Sequence, residues 1–152
     1  CDAHHVTAPR PDGATQSAAI RMALDEAGYT SEDELYINAH GTGTPLNDVS
    51  ETQAFKFALG EDAYKAHISS TKGAMGHMLG AAGAAEAVAS VLALRNGIVP
   101  PTVNLDEVDP ECDLNYTPGS AVKADLTMAL SDSLGFGGHN GCIVFRKYDE
   151  RP

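Results

Sequence analysis

The stretch NAHGTGTPLND, Asn38 to Asp48, sets one histidine at the end of a short apolar run and follows it with glycines, paired threonines and a proline. Leu35 to Ala39 reads as a buried strand whose far end carries His40. Asp48 then caps a helix with Glu51 reaching back from three residues on. Val49, Thr52, Phe55, Ala58 and Leu59 share one face of that helix until Gly60 stops it. Strand, glycine-rich loop and helix in this order are an α/β pattern, and loops at strand ends are where such proteins build their sites.

Outward from this stretch the pattern repeats. Ile20, Ala23, Leu24 and Ala27 recur at helical spacing before Gly28. His67 to Ser70 is a second short strand leading into STKGAMGHMLGAAG, Ser70 to Gly83. The helix that follows, about Ala81 to Leu94, is apolar nearly all round, with Glu86 and Ser90 as its polar interruptions. That pattern predicts burial on every side, between two sheets or at a subunit contact. GIVPPTVNL runs extended, because Pro100 and Pro101 forbid a helix and disfavour a central strand. Met128 to Leu134 and Cys142 to Tyr148 then bracket GFGGHNG as a hairpin with an enlarged glycine-rich loop. The class is α/β, with a mixed five-stranded sheet and helices on both faces.

Composition narrows the function. With 152 residues the chain makes one domain, residues 1–152, and its 43% hydrophobic and 20% charged content is that of a globular protein. A net charge of -11 argues against nucleic acid and anionic membranes, both of which call for a basic patch. No apolar run reaches the ~20 residues of a membrane span. Cys1, Cys112 and Cys142 are odd in number and far apart, which points to a reducing compartment, the cytoplasm. The opening residues read as mid-domain sequence, so the amino end is expected to be a cut.

Three glycine-rich loops each carry a histidine: His40, His77 in KGAMGHMLG, and His139 in GFGGHN. They form neither a P-loop nor a G-x-G-x-x-G turn, no G-x-S-x-G elbow is present, and the histidines lack partners at metal-ligand spacing.

NAHGTGTPLND, SSTKGAMGHMLGAAGAAE and DSLGFGGHNG, in that order and spacing, closely resemble the three carboxy-terminal motifs of the β-ketoacyl-acyl-carrier-protein synthases, condensing enzymes of the thiolase-like fold. PPTVNL and CDLNY resemble the family's text between those motifs. The likeness is closer to synthase II, the fatty-acid elongation type, than to modular polyketide ketosynthases.

The resemblance implies that His40 and His77 are the two active-site histidines that stabilise the enolate left when a malonyl thioester loses carbon dioxide. It implies that Lys72 supports the second histidine, against a plain reading as a solvated lysine. Thr42 and Thr44, and equally Thr7 unless it merely stabilises a turn, would bind the carrier's pantetheine arm. Phe136 would gate the site, His139 would be structural, and Glu86 would support the site or help bind a structural monovalent or divalent cation. Asn38 and Ser131 to Asp132 would lie nearby, although Asp132 stands where relatives usually have asparagine. No other cofactor is implied.

The resemblance places the nucleophilic cysteine in an amino-terminal half, at a helix start that favours thiolate, and outside these 152 residues. The chain alone is then inactive. Its partners would be acyl carrier protein thioesters, docked mostly through the other half, and a second copy in a homodimer. A non-catalytic chain-length-factor-like subunit, a polyketide ketosynthase fragment and a stand-alone module for pantetheine thioesters remain as alternatives.

Overall fold

The computed structural model describes residues 1–148. Its first helix, α1 (Ala14–Glu26), is followed by strand β1 (Leu35–Asn38), helix α2 (Pro45–Leu59), a 3-10 turn (Gly60–Tyr64), β2 (His67–Ser69) and a single helical turn, α3 (Lys72–Met75). A second 3-10 turn (Leu79–Ala81) leads into α4 (Ala82–Asn96), and the chain ends in β3 (Ile98–Val99), β4 (Val122–Lys123), β5 (Met128–Gly135) and β6 (His139–Arg146).

Among the described residues the main sheet has four strands in the order β2-β1-β5-β6, not five. β1 runs parallel to both β2 and β5, and β6 closes the sheet antiparallel to β5, so the sheet is mixed as expected. The proline-bounded segment after α4 leaves the sheet: β3 pairs only with β4 in a two-stranded ribbon. Pro100 ends that pairing after two residues, because proline offers no N–H to a ladder.

Alternation along the strands sorts the core into two layers. Leu35, Ile37, Met128 and Leu130 face α1 and α2, packing on Ile20, Leu24, Ala54 and Phe55. Tyr36 and Ala129 face the other way, against Ala93 and Leu94 of α4. Helices therefore cover both faces.

Three local expectations change. The helix after the histidine loop begins at Pro45, in the first helical turn where a missing N–H costs nothing, and not at Asp48. Asp48 instead accepts the Gly43 N–H, and Glu51 does not reach back along its own helix. The hairpin loop is only three residues, 136–138, because β5 and β6 stay paired to Gly135↔His139, while β6 stops at Arg146 rather than Tyr148.

Helix α4 is not buried all round. Glu86 and Ser90 face inward and are buried, whereas Val88, Val91 and Leu92 are 61%, 43% and 49% exposed. The polar side is the packed one because Glu86 has a buried cationic partner, described below. Among the described residues nothing covers the apolar side.

Candidate active site

Because β1, β2 and β5 are parallel, the residues that follow them gather at one edge of the sheet. There the His40 loop, the Ser70–His77 segment and the 136–138 turn meet.

The backbone at His40 is pinned from α2. Glu51 is buried and takes the His40 N–H on Oε1 at 2.7 Å and the Gly41 N–H on Oε2 at 2.8 Å; Asn47 Nδ2 adds a third donor at 3.1 Å. Gly41 sits at φ +38, and a Cβ there would lie 2.5 Å from Ser70 Cβ, so only glycine brings the His40 turn against the strand-end of β2. Ser70 Oγ completes the contact by donating to the Gly41 carbonyl at 2.9 Å.

His77 is fixed through its ring. Its Nδ1 accepts the Leu79 N–H at 3.1 Å, so the proton of the neutral imidazole sits on Nε2. Leu79 holds a left-handed backbone, φ 51, which costs a non-glycine residue about 1 kcal/mol and aims that N–H. The His40 and His77 rings meet edge to face, centroids 5.5 Å apart at 87°. Burial, then the Lys72 charge, then His77 hold His40 down to about 3, so it is neutral across the physiological range.

Lys72 is no solvated lysine. It opens α3 with a side chain 6% exposed and pairs with Glu86, itself 2% exposed, whose Oε2 accepts from Ser133 Oγ at 3.3 Å. The buried charge of α4 is thus neutralised by the cation beside the histidines. Lys72 bonds Glu86 rather than His77, and it acts on the histidines through its charge.

The residues expected around a cation do not form one cluster: Asn38 and Ser131 stand opposite each other on β1 and β5, but Asp132 does not join them. Asn38 Nδ2 donates to Thr71 Oγ1 at 3.2 Å, and Glu86 is committed to Lys72 and Ser133. Ser131 lies one residue from Asp132 on β5, so the two point to opposite faces. Asp132 goes to the α1 side, where Gln16 Nε2 donates to its Oδ2 at 2.6 Å and where Glu51 is its neighbour. Burial pushes both carboxyls above the usual carboxylate range; the Asp132 charge raises Glu51 further, while hydrogen bonds from Gln16 and Glu51 hold Asp132 lower. These contacts do not fit an ion cage, and among the described residues no three His, Cys, Asp or Glu side chains cluster as metal ligands.

A cavity of about 620 Å³ opens over the rings, lined by His40, His77, Thr42, Thr44, Thr7 and Phe136 among others. Thr42 and Thr44 are bonded to each other at 2.9 Å, and Phe136, 75% exposed, stands at the start of the hairpin turn. His139 pairs with Gly135 at the base of that turn and does not line the cavity. The residues expected of the catalytic and arm-binding set therefore line this cavity, with Lys72 directly behind it. Glu51, Asn47 and the Leu79 N–H were not anticipated. Glu51 could have been noticed as a carboxylate on the inward face of its helix; the Leu79 contact is a backbone donor and leaves no mark in side-chain pattern.

Residues 1–106 match the family described as "Beta-ketoacyl synthase, C-terminal domain". The chain is 54% identical over 148 residues to a 3-oxoacyl-[acyl-carrier-protein] synthase 2 of Synechocystis, and 47% identical over 148 residues to the enzyme of that name from Staphylococcus aureus. Each alignment covers 97% of this chain and 36% of the relative. Among solved structures it superposes on a complex described as a type II PKS acyl-carrier protein with its ketosynthase bound to the hexaketide, with TM-score 0.93 and 40% identity over 97% of this chain and 36% of that one. A β-ketoacyl synthase from Burkholderia phymatum gives TM-score 0.88 and 38% identity, over 97% and 35% respectively. The thiolase-like fold of these ketosynthases is the fold seen here, and the chain spans about a third of the length of the relatives it matches.

Proposed function

Because the chain belongs to the β-ketoacyl synthase family, whose C-terminal domain it carries, we propose that it supplies the decarboxylating side of a 3-oxoacyl-[acyl-carrier-protein] synthase of fatty acid elongation. The observation that carries this reading is the histidine pair: two rings 5.5 Å apart, one with Nδ1 occupied and the other held neutral by burial, facing a single cavity.

The chemistry follows from those donors. When the carboxylate of a malonyl thioester leaves as carbon dioxide, the electrons of the broken C–C bond pass into an enolate whose negative charge sits on the former thioester oxygen. His77 Nε2–H and the neutral His40 ring donate to that oxygen, with the Lys72 charge behind them. Preorganised donors at such an oxygen contribute ~10²- to 10³-fold each in acyl-transfer sites. The enolate carbon then attacks an acyl thioester held on a cysteine, expelling the thiolate. Burial pushes the Cys112 and Cys142 thiols up, so neither is that nucleophile; it belongs to the remainder of the longer protein.

Thr42, Thr44 and Thr7 line the path of the pantetheine arm, whose amides they can both donate to and accept from, and Phe136 gates it. The carrier docks on the other half, since this one has a net charge of -11. The longer protein is a cytoplasmic homodimer, and this chain alone does not condense. No helix among the described residues is long and apolar enough to cross a membrane.

Carbon dioxide release from malonyl carrier protein, measured with the longer protein that contains this chain, tests the reading. Release is expected. A well-folded protein that binds the thioester and releases none would instead mark a non-catalytic, chain-length-factor-like subunit.

A further inference from the structure

Part of the cavity lining comes from a strap, residues 2–9, that belongs to no helix or strand. One exposed side chain organises it. His5 Nδ1 accepts the backbone N–H groups of both Thr7 and Ala8, each at 3.1 Å, and lies 3.5 Å from Thr7 Oγ1. This is the local turn that a short asparagine or aspartate side chain makes when it captures donors two and three residues ahead. It requires an unprotonated Nδ1.

The strap is also tied to the three-residue turn that carries Phe136. Asp2 N–H donates to the Gly138 carbonyl at 2.7 Å, and Gly137 N–H donates to the Val6 carbonyl at 2.7 Å. Asn140 Nδ2 reaches Asp2 Oδ1 at 3.4 Å. The approach is so close that a Cβ on Gly138, itself at φ +79, would fall 2.1 Å from the Asp2 carbonyl oxygen. His5 lies in sequence between the two backbone ties, and its turn decides where the Val6 carbonyl points.

We infer that His5 is a positioning residue for the mouth of the cavity: its ring folds the strap into the shape that clamps the Phe136 turn, and so sets how the carrier-borne arm enters. The clamp rests on contacts within this chain, while its consequence for the arm rests on the function proposed above. His5 does not line the cavity and touches no reacting atom.

Three substitutions separate the clamp from general packing. Asparagine places an acceptor oxygen the same number of bonds from the backbone as the histidine Nδ1. Glutamine places it one bond further, and alanine removes it. In the longer synthase, His5→Ala should speed amide exchange at Thr7, Ala8 and Gly137 about five- to tenfold, the factor expected from losing a net hydrogen-bond contribution. It should also raise KM for malonyl carrier protein about three- to tenfold, because the disordered wall must be ordered on binding, with kcat within about twofold. His5→Asn should restore both readouts and His5→Gln neither.

Unchanged exchange at Gly137 in His5→Ala would overturn the clamp, as would equal behaviour of the asparagine and glutamine variants. Faster exchange with an unchanged KM would overturn its role at the mouth. Failure of the functional reading looks different: the unmodified synthase would release no carbon dioxide, while the exchange pattern of the variants would still report on the clamp.

Discussion

Replacing His77 by alanine in the longer synthase should slow malonyl decarboxylation by roughly 10²- to 10³-fold, and His40→Ala should do the same, while acylation of the synthase's cysteine stays within a few-fold of normal. In the proposed function both rings serve the enolate oxygen, which exists only in the decarboxylation and condensation steps. Acyl transfer to cysteine makes its charge elsewhere. The two losses should not multiply, because the rings are in edge contact and in the proposed function serve one oxygen, so the double variant should fall well short of the product of the singles. Burst acylation measured beside carbon dioxide release separates the steps. Equal loss of both activities in the single variants would mean that the histidines support the fold of the site rather than its chemistry.

The second large effect concerns stability. Lys72→Ala should destabilise the protein by about 3–5 kcal/mol, and so should Glu86→Ala, because each leaves a buried charge without its partner. The double replacement Lys72→Met with Glu86→Leu should recover most of that loss, since apolar groups of similar volume often substitute for a buried pair without net cost. Chemical denaturation of the four proteins reads this directly. The recovered protein should nonetheless decarboxylate poorly. Removing the Lys72 charge takes away one of the influences that hold His40 neutral, and it removes a positive charge behind the enolate. Single variants no less stable than the parent would show that the Lys72–Glu86 contact is not the buried ion pair described here.

These residues also show what sequence reasoning can and cannot reach. His40, Lys72 and His77 were legible because they sit in glycine-rich loops that follow short apolar strands, and parallel strands bring such loops to one edge. Thr42, Thr44 and Phe136 came with the same motifs. The pairing of Lys72 with Glu86 was not legible, since it joins α3 to α4 across 14 positions and depends on how α4 lies on the sheet. Asp132 was grouped with Ser131 and Glu86 by the family resemblance, yet strand alternation sends it to the face opposite Ser131, toward Gln16 and Glu51. Glu51 was read as a local cap because its spacing from Asp48 fits one; the His40 and Gly41 amides, eleven and ten residues away in sequence, are stronger claimants. The expected fifth strand is missing from the sheet among the described residues, and the extended segment after α4 contributes only the short ribbon of β3 with β4. The apolar outer face of α4 shows the same limit, because composition says that a surface is apolar and only packing says what covers it.

The central claim is that two neutral histidines, each presenting a proton to one oxygen, form the decarboxylating wall. The nitrogen-15 chemical shifts of labelled histidines, followed from neutral pH downward, test it most directly. The account predicts that His77 at neutral pH shows the tautomer with its proton on Nε2, and that His40 remains neutral until the pH approaches about 3, its ring still uncharged at pH 5. A His40 that is already imidazolium at pH 6, or a His77 with its proton on Nδ1, would contradict it.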